Sequence, residues 1–266
     1  MRTGPDSGVF SRAALPLRRM VSRAGAWLLP GECALCGGRV DQGAPGGGRL
    51  VCAACHHDYI EGWFSATGSR CRQCANPLPA GATGLCGYCL RIPPAFDTTV
   101  AAAPYALPLD RLVLQLKFGG RLALARLFGE AIADAVLAAP GFVRPDILCP
   151  VPLGPRRLVE RGYNQALEMA RPLARRLDLP LQAHMAVRVR ETAALSRSAS
   201  PVERRAHIAG AFAAQQREWI AGRHIGLVDD VMTSGATMNE LAALLKRYGA
   251  VRITCLVFAR TRPHDE

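Results

Sequence analysis

Lysine is nearly absent from this chain. The 266 residues carry 33 basic side chains, but Lys117 and Lys246 are the only lysines, so the formal net charge of +12 rests almost wholly on arginine. The guanidinium fork of arginine meets phosphate oxygens in pairs. The excess is uneven, with 14 arginines against 7 acids between residues 144 and 223. This pattern predicts a region that attracts phosphates, either on a small metabolite or on a nucleic acid.

Long apolar runs are also missing. None approaches the roughly 18 to 20 residues of a membrane span, so we predict no membrane span. The apolar patch in residues 1–28 is too short and interrupted for a secretory signal, and we interpret this stretch as a poorly ordered N-terminal segment. The protein is therefore expected in the cytoplasm. Aromatic residues make up only 6% of the chain, which is few for the base stacking of a strong single-strand binder.

Cysteine, in contrast, is plentiful and patterned. Eight of the ten cysteines form four Cys-x-x-Cys pairs: Cys33, Cys36, Cys52, Cys55, Cys71, Cys74, Cys86 and Cys89. A two-residue spacer lets one tight turn present both sulfurs to one metal, so four pairs predict two tetrahedral zinc sites. Disulfides are the alternative, and a reducing cytosol disfavours them. With four sulfurs each, both zinc ions would be structural, because no coordination position stays open.

The spacing of these cysteines permits more than one pairing. We expect sequential pairing, Cys33/Cys36 with Cys52/Cys55 and Cys71/Cys74 with Cys86/Cys89, as in a double zinc ribbon, although spacing also permits an alternating arrangement. His56 and His57 could replace a sulfur as ligands. Because enough sulfurs are present, we expect both histidines at the surface.

After a proline-rich linker the chain alternates between strands and helices. Strands are predicted at 96–105, 146–152, 184–190, 225–229 and 251–258, and helices at 108–118, 122–137, 158–173 and 237–248. Strands separated by helices imply a parallel sheet with a ligand at the carboxyl ends of its strands. We therefore predict an α/β protein with three parts: the N-terminal segment 1–28, a double zinc ribbon at 29–94 and a parallel-sheet domain at 95–262.

The segment Ile225-Gly226-Leu227-Val228-Asp229-Asp230-Val231-Met232-Thr233-Ser234-Gly235-Ala236-Thr237 is the most informative stretch. A buried strand would bring Asp229 and Asp230 to its carboxyl end, where carboxylates can accept hydrogen bonds from two sugar hydroxyls. Gly235 would let the backbone approach an anion, and the hydroxyl groups together with the following helix N-terminus would bind phosphate. The alternative is an ordinary polar turn between a strand and a helix, but paired acids there are costly unless they are used.

This segment resembles the 5-phosphoribosyl 1-pyrophosphate (PRPP) motif of type I phosphoribosyltransferases. The resemblance implies that Asp229 and Asp230 hold the ribose 2′ and 3′ hydroxyls. It also implies that a turn cradles the 5′-phosphate through Thr233, Ser234, Gly235, Ala236 and Thr237.

A second set of motifs extends the resemblance. These motifs are Leu116 to Arg121, Val151-Pro152-Leu153-Gly154-Pro155-Arg156-Arg157 and Arg161-Gly162-Tyr163-Asn164-Gln165. Together with the cysteine pairs, they are similar to the ComF family, in which a cysteine-rich zinc module is fused to a phosphoribosyltransferase-like domain and is associated with DNA uptake in natural competence.

The resemblance also implies further site residues. The loop at 151–157 would bind pyrophosphate through Val151, Pro152, Leu153, Arg156 and Arg157, with Arg161 nearby. Arg188 and Arg190 are expected where a mobile loop could close over the same phosphates, and we take them as catalytic candidates. For Arg156, Arg161 and Arg188, a solvated face is the alternative. Magnesium would accompany PRPP.

The chain departs from the family at two positions. Leu195 stands where the family has glutamine, and His207 stands where it has asparagine. In purine salvage enzymes an acid stands at the position that Thr233 occupies here, which disfavours that reaction. Two functions stay open: a phosphoribosyltransferase-like enzyme with an unidentified acceptor, or a non-catalytic adaptor. The adaptor would sense nucleotides or handle single-stranded DNA, with a competence helicase as a possible partner.

Overall fold

Four parallel strands form the central sheet of the protein. The computed structural model describes residues 31–40, 50–61, 69–191 and 201–261. The predicted N-terminal segment 1–28 and Leu195 therefore lie outside the described residues. The chain divides into two compact units between Ala53 and Ala54, and the domain boundaries expected from sequence stay predictions.

The strand order of the central sheet is β3-β8-β7-β4, and every neighbouring pair is parallel. The β-strands are β1 Gly31–Glu32, β2 Arg39–Val40, β3 Thr98–Pro104, β4 Ile147–Pro150, β5 Ala186–Arg188, β6 Phe212–Ala214, β7 His224–Met232 and β8 Arg252–Arg260. In β7 and β8 the middle residues are buried almost continuously, as expected for parallel strands covered on both faces. The predicted α/β parallel-sheet class is confirmed.

Several helices pack on this sheet. The helices of the described residues are α1 Ala53–His56, α2 Gly87–Arg91, α3 Leu109–Phe118, α4 Ala123–Ala138, α5 Pro155–Arg161, α6 Gln165–Leu177, α7 Pro201–Ile208 and α8 Ala236–Arg247, with a π-helix at His57–Glu61 and a 3-10 turn at Arg217–Trp219. Helices α4 and α6 pack on each other and on the sheet, while α8 packs on α7, β6 and β8. In the described part of the chain, no helix has the length and apolar character needed to cross a membrane.

The contact between α4 and α6 depends on a glycine. A Cβ atom at Gly129 would lie 2.4 Å from the carbonyl oxygen of Met169. Beside it, the rings of Phe128 and Phe258 stack with centroids 3.7 Å apart and both side chains fully buried. The absent side chain thus lets the two helices approach closely over β8.

Two elements differ from their sequence predictions. The helix expected at 158–173 is divided into α5 and α6, because Gly162 adopts a left-handed conformation that ends α5 and Asn164 caps α6 through the N–H of Ala166. The strand expected at 184–190 is shorter, as β5, and pairs antiparallel with β6 outside the central sheet. Strand alternation alone did not reveal this separate ribbon.

Candidate functional site

The eight paired cysteines form two clusters, and both are the sequential tetrads. In the first, Cys33, Cys36, Cys52 and Cys55, and in the second, Cys71, Cys74, Cys86 and Cys89, all sulfur atoms lie within 4.8 Å of one another. A tetrahedral zinc with Zn–S bonds of about 2.3 Å requires sulfurs roughly 3.8 Å apart. The Cys36–Cys52 and Cys74–Cys86 sulfur separations are 3.8 and 3.6 Å. Both tetrads therefore fit a structural zinc ion.

Backbone N–H groups favour the thiolate at one cysteine of each cluster, Cys33 and Cys71, whereas burial raises the pKa of Cys74 to about 11. Burial acts to raise the pKa of Cys33, but nearby backbone N–H groups, first that of Cys52, outweigh it and lower this pKa to about 6. The pKa of Cys71 is lowered to about 7 in the same way, mainly by the N–H of Cys74. His56 and His57 contact Glu61 instead, through Nδ1 at 3.1 and 3.2 Å. These histidines are not needed as ligands.

A pocket of about 230 Å³ lies at the carboxyl end of β7. The lining residues come from the end of β7, the following turn, the start of α8 and three arginine-bearing segments. They are Arg157, Arg188, Arg204, His207, Ile208, Asp229, Val231, Met232, Thr233, Ser234, Gly235, Ala236, Thr237 and Met238. The structure thus brings the whole turn at 233–237 together with Asp229.

The turn has the geometry of an anion-binding loop. Gly235 adopts φ of +78° and precedes α8 without providing a capping side chain. A residue with a side chain would be strained there. The hydroxyl oxygen of Ser234 accepts a hydrogen bond from the N–H of Ala236 at 3.4 Å. The positive end of the α8 dipole is therefore directed at the pocket.

Asp229 is the carboxylate of this pocket. Burial first, and then the neighbouring charge of Asp230, raise its pKa to about 7, while Lys117 and Arg188 act in the opposite direction. Its Oδ1 accepts a hydrogen bond from the backbone N–H of Asp230 at 2.9 Å. Asp229 is thus held in one orientation and titrates near neutral pH.

Asp230 is placed differently. Successive side chains of a strand point to opposite faces, and Asp230 is absent from the described residues that line the pocket. Its Oδ1 lies 3.0 Å from the amine of Lys117 at the end of α3, and only 2% of the residue is exposed. Its Oδ2 is buried with no hydrogen-bond partner among the described residues. The two adjacent acids therefore occupy different environments.

Two of the candidate arginines lie in the pocket. Arg157 lines it from α5, and Arg188 lines it from β5, where its guanidinium also lies 5.5 Å from the ring centroid of Phe212. Burial and then the charge of Arg157 lower the pKa of Arg188. This crowding of positive charge favours an anionic ligand.

The other arginine candidates lie outside the described pocket lining. Arg190 donates to the carbonyl oxygens of His207 and Ala209. Arg156 pairs with Glu160 at 2.9 Å on the exposed face of α5. Arg161 bonds to Gln165 and lies 5.4 Å from the ring centroid of Phe118.

The loop at 151–157 holds an internal anion. Val151 is fixed by backbone bonding to Val228 at 2.9 Å, and the neighbouring Pro152 is buried while Leu153 is half-buried. Further along, the N–H of Arg156 donates to the carboxylate of Glu191 at 2.8 Å. A Cβ atom at Gly154 would lie 2.5 Å from the same carboxylate. The loop backbone thus accommodates a negatively charged group.

Several pocket-lining residues were not among the predicted binding residues, although His207 was noted as a departure from the family. Arg204 and His207 line the pocket from α7, and Met232 and Met238 form apolar parts of its wall. Lys117 belongs to the motif at 116–121 but was not predicted as a site residue. The rarity of lysine in an arginine-rich chain could have indicated that Lys117 has a specific partner. Both lysines pair with an aspartate, Lys117 with Asp230 and Lys246 with Asp97.

Family models match two parts of this chain. The phosphoribosyl transferase domain matches residues 164–266, and the double zinc ribbon domain matches residues 24–90. With the sheet topology and the cysteine tetrads, these matches confirm the predicted phosphoribosyltransferase-like domain and N-terminal double zinc ribbon.

Curated relatives cover most of the chain. The DNA utilization protein YhgH of Salmonella typhi is 36% identical over 197 residues, which are 73% of this chain and 85% of that protein. Competence protein F of Haemophilus influenzae is 35% identical over 195 residues, covering 71% of this chain and 84% of that protein. Among solved structures, a glutamine PRPP amidotransferase from B. subtilis has a TM-score of 0.36 and 16% identity, covering 53% of this chain and 30% of that one.

Proposed function

The chain belongs to the ComF family, and on that premise we propose that its pocket binds a phosphoribosyl ligand such as PRPP. One observation carries the proposal: Asp229 and the anion-binding turn at 233–237 line the same pocket, with arginines on its other side. A sugar phosphate needs this combination of an acceptor for hydroxyls and donors for phosphate.

The ligand would lie with its 5′-phosphate on the turn. The hydroxyls of Thr233, Ser234 and Thr237, with the first backbone N–H groups of α8, supply the donors. Asp229 then accepts from a ribose hydroxyl. Asp230 supports this arrangement from the other face of β7, where Lys117 neutralises its charge.

The diphosphate of PRPP would lie toward Arg157 and Arg188. Both line the pocket and can meet phosphate oxygens in pairs. The loop at 154–156 lies next to Arg157, and its backbone would receive the remaining oxygens in place of the Glu191 carboxylate. Magnesium would enter with the diphosphate, because it keeps water ligands and binds mainly to phosphates and one or two carboxylates.

The names of two relatives support a proposal about the biological process in which this protein acts. Proteins named for DNA utilization and for competence share about a third of their residues with this chain. We infer a role linked to DNA uptake, in which the phosphoribosyl site acts on, or responds to, a nucleotide derivative.

Calorimetry with PRPP and Mg²⁺ tests the proposal. We expect Arg188→Gln to weaken binding at least about tenfold, the loss of a charge-assisted hydrogen bond. Arg175→Gln on the exposed side of α6 is the matched control and is expected to bind as the unmodified protein does. An absence of heat with the unmodified protein would refute the proposal.

A second candidate is a non-catalytic adaptor that binds the same ligand without turnover. Thr233 stands where purine salvage enzymes carry an acid, which disfavours that reaction and leaves the acceptor of a transferase unassigned. An assay of pyrophosphate release across candidate bases and amines separates the two functions. Release with any acceptor establishes an enzyme, whereas tight binding with no release across the set favours the adaptor.

A further inference from the structure

The second cysteine cluster packs against the same strand ends that carry the proposed phosphate-binding turn. Cys71, Cys74 and Cys89 share one hydrophobic core with Met232 and Ala236. All of these residues belong to the compact unit that begins at Ala54. The packing around this cluster is therefore continuous with the packing around the turn.

Arg260, the last residue of β8, forms the main connection. It is only 5% exposed. Its Nε donates to the carbonyl oxygen of Cys74 at 2.8 Å. One of its terminal nitrogens donates to the carbonyl oxygen of Met232 at 2.9 Å and also to that of Thr233. One guanidinium thus joins a proposed zinc ligand to the first residue of the turn at 233–237.

Arginine is chemically suited to this position. A guanidinium has donors on several edges and keeps its charge when buried, so it can bind carbonyl groups on two segments at once. A cluster of four thiolates around Zn²⁺ carries a net negative charge, which a buried cation offsets. The same cation leaves the carbonyl groups of Met232 and Thr233 directed away from the pocket, so that the turn presents donors to a phosphate.

Three further contacts lie in the same region. The Thr99 hydroxyl donates to the carbonyl oxygen of Gln73, inside the Cys71–Cys74 turn, at 2.6 Å. The ring of Phe96 lies against the position where Gly235 would carry a side chain, with 3.6 Å between that Cβ position and the ring. The amide of Gln73 in turn donates to the carbonyl oxygen of Phe96 at 3.0 Å.

We propose that Arg260 is a positioning residue that couples the second cysteine cluster to the turn at 233–237, so that metal loading of this cluster sets the affinity of the pocket for a phosphate ester. The affinity part of this inference rests on the proposed function, whereas the coupling between cluster and turn does not. By thermodynamic linkage, a ligand on the turn also raises the affinity of the cluster for its metal by the same factor.

The test compares zinc-loaded full-length protein with Arg260→Lys by amide hydrogen exchange and by calorimetry with ribose 5-phosphate. Lysine keeps the charge, but its three donors sit on one nitrogen, which cannot take the places of both the Nε and the terminal nitrogen of Arg260. We expect exchange in residues 233–237 to become roughly tenfold faster or more, and the affinity for ribose 5-phosphate to fall by a similar factor.

Arg252→Lys is the matched control, since Arg252 lies at the opposite end of the same strand and contacts Thr98. We expect it to leave both readouts unchanged. Unaltered exchange at 233–237 in Arg260→Lys overturns the coupling, as does an equal change in Arg252→Lys. If the unmodified protein does not bind ribose 5-phosphate, the proposed function and the affinity part fail, while the exchange result still decides the coupling.

Metal removal tests the coupling in the unmodified protein, so this test does not depend on a variant that folds. Chelation of zinc from the unmodified protein is expected to speed amide hydrogen exchange at 233–237 more than in β4. Arg260 connects the cluster to Met232 and the turn, and its described contacts do not include β4. Equal acceleration in both segments would mean that the metal supports the whole domain, and it would overturn the proposal.

Discussion

Replacing Asp229 with asparagine separates what this carboxylate contributes to binding from what it costs the fold. Burial and the adjacent Asp230 raise its pKa to about 7. Asparagine keeps the size of the side chain and an oxygen that can accept the N–H of Asp230, but it cannot ionise. The substitution therefore removes the charge while the local hydrogen bond persists.

The effect on stability depends on pH. In the unfolded chain this carboxyl has its ordinary pKa of 3.8, so the folded state holds the proton more tightly. Stability from this group is fully present below pH 4, falls as pH rises through the folded pKa of about 7, and stays low above it. The full shift corresponds to about 4 kcal/mol, which we reduce to about 1–2 kcal/mol because the group is partly solvated.

Thermal unfolding at several pH values measures this effect. We expect Asp229→Asn to unfold about 2–6 °C higher than the unmodified protein at pH 8, with the difference vanishing near pH 4. Asp178→Asn, at an exposed left-handed helix end where asparagine is well tolerated, is the matched control. A lower unfolding temperature for Asp229→Asn at pH 8 would refute the assignment of a destabilising buried charge.

Binding is expected to move in the opposite direction. A sugar hydroxyl donates to the ionised form, so affinity for ribose 5-phosphate should rise about tenfold between pH 6 and pH 8 as Asp229 loses its proton. The phosphate group of the ligand also titrates near pH 6. Its contribution is common to both proteins, so the part of the pH dependence that disappears in Asp229→Asn belongs to the carboxylate. Equal pH profiles would contradict a sugar-binding role for Asp229.

Two further predictions concern the supports of the site. Lys117→Met leaves the buried carboxylate of Asp230 without its cation and should destabilise the protein by about 2–3 kcal/mol in denaturant unfolding; the double variant with Asp230→Asn should recover most of this loss, and a double variant as unstable as the single one would contradict the pairing. Native mass spectrometry should find two zinc ions per chain, and one each in Cys36→Ser and Cys86→Ser; two retained zinc ions in either variant would argue against four-sulfur sites.

Local patterns predicted the parts of the site that one short segment builds. The strand, turn and helix around Gly235 could be predicted because a buried strand, a left-handed glycine and a helix start follow each other within a few residues. The cysteine tetrads could be predicted for the same reason, since a single turn presents each pair. The different environments of Asp229 and Asp230 were not predicted, although the two-residue period of a strand points successive side chains to opposite faces.

Contacts between distant segments were not predictable in this way. Arg190 was expected near phosphates, but it bonds to carbonyl groups at the end of α7, a partnership set by how β5 and β6 pair. Arg260 lies 186 residues from Cys74, and no periodicity relates them. Such pairings depend on which strand ends the fold brings together.

The scarcity of lysine has a practical consequence for labelling this protein. Amine-reactive reagents would find two lysine side chains, and each lies about 3 Å from an aspartate. Acylation of Lys117 would therefore report on the salt bridge behind the pocket, with Lys246 as an internal reference on the same molecule. Lysine-directed cross-linkers, in turn, would give few distance restraints, so that arginine- or carboxylate-directed chemistry is the better choice for mapping partners.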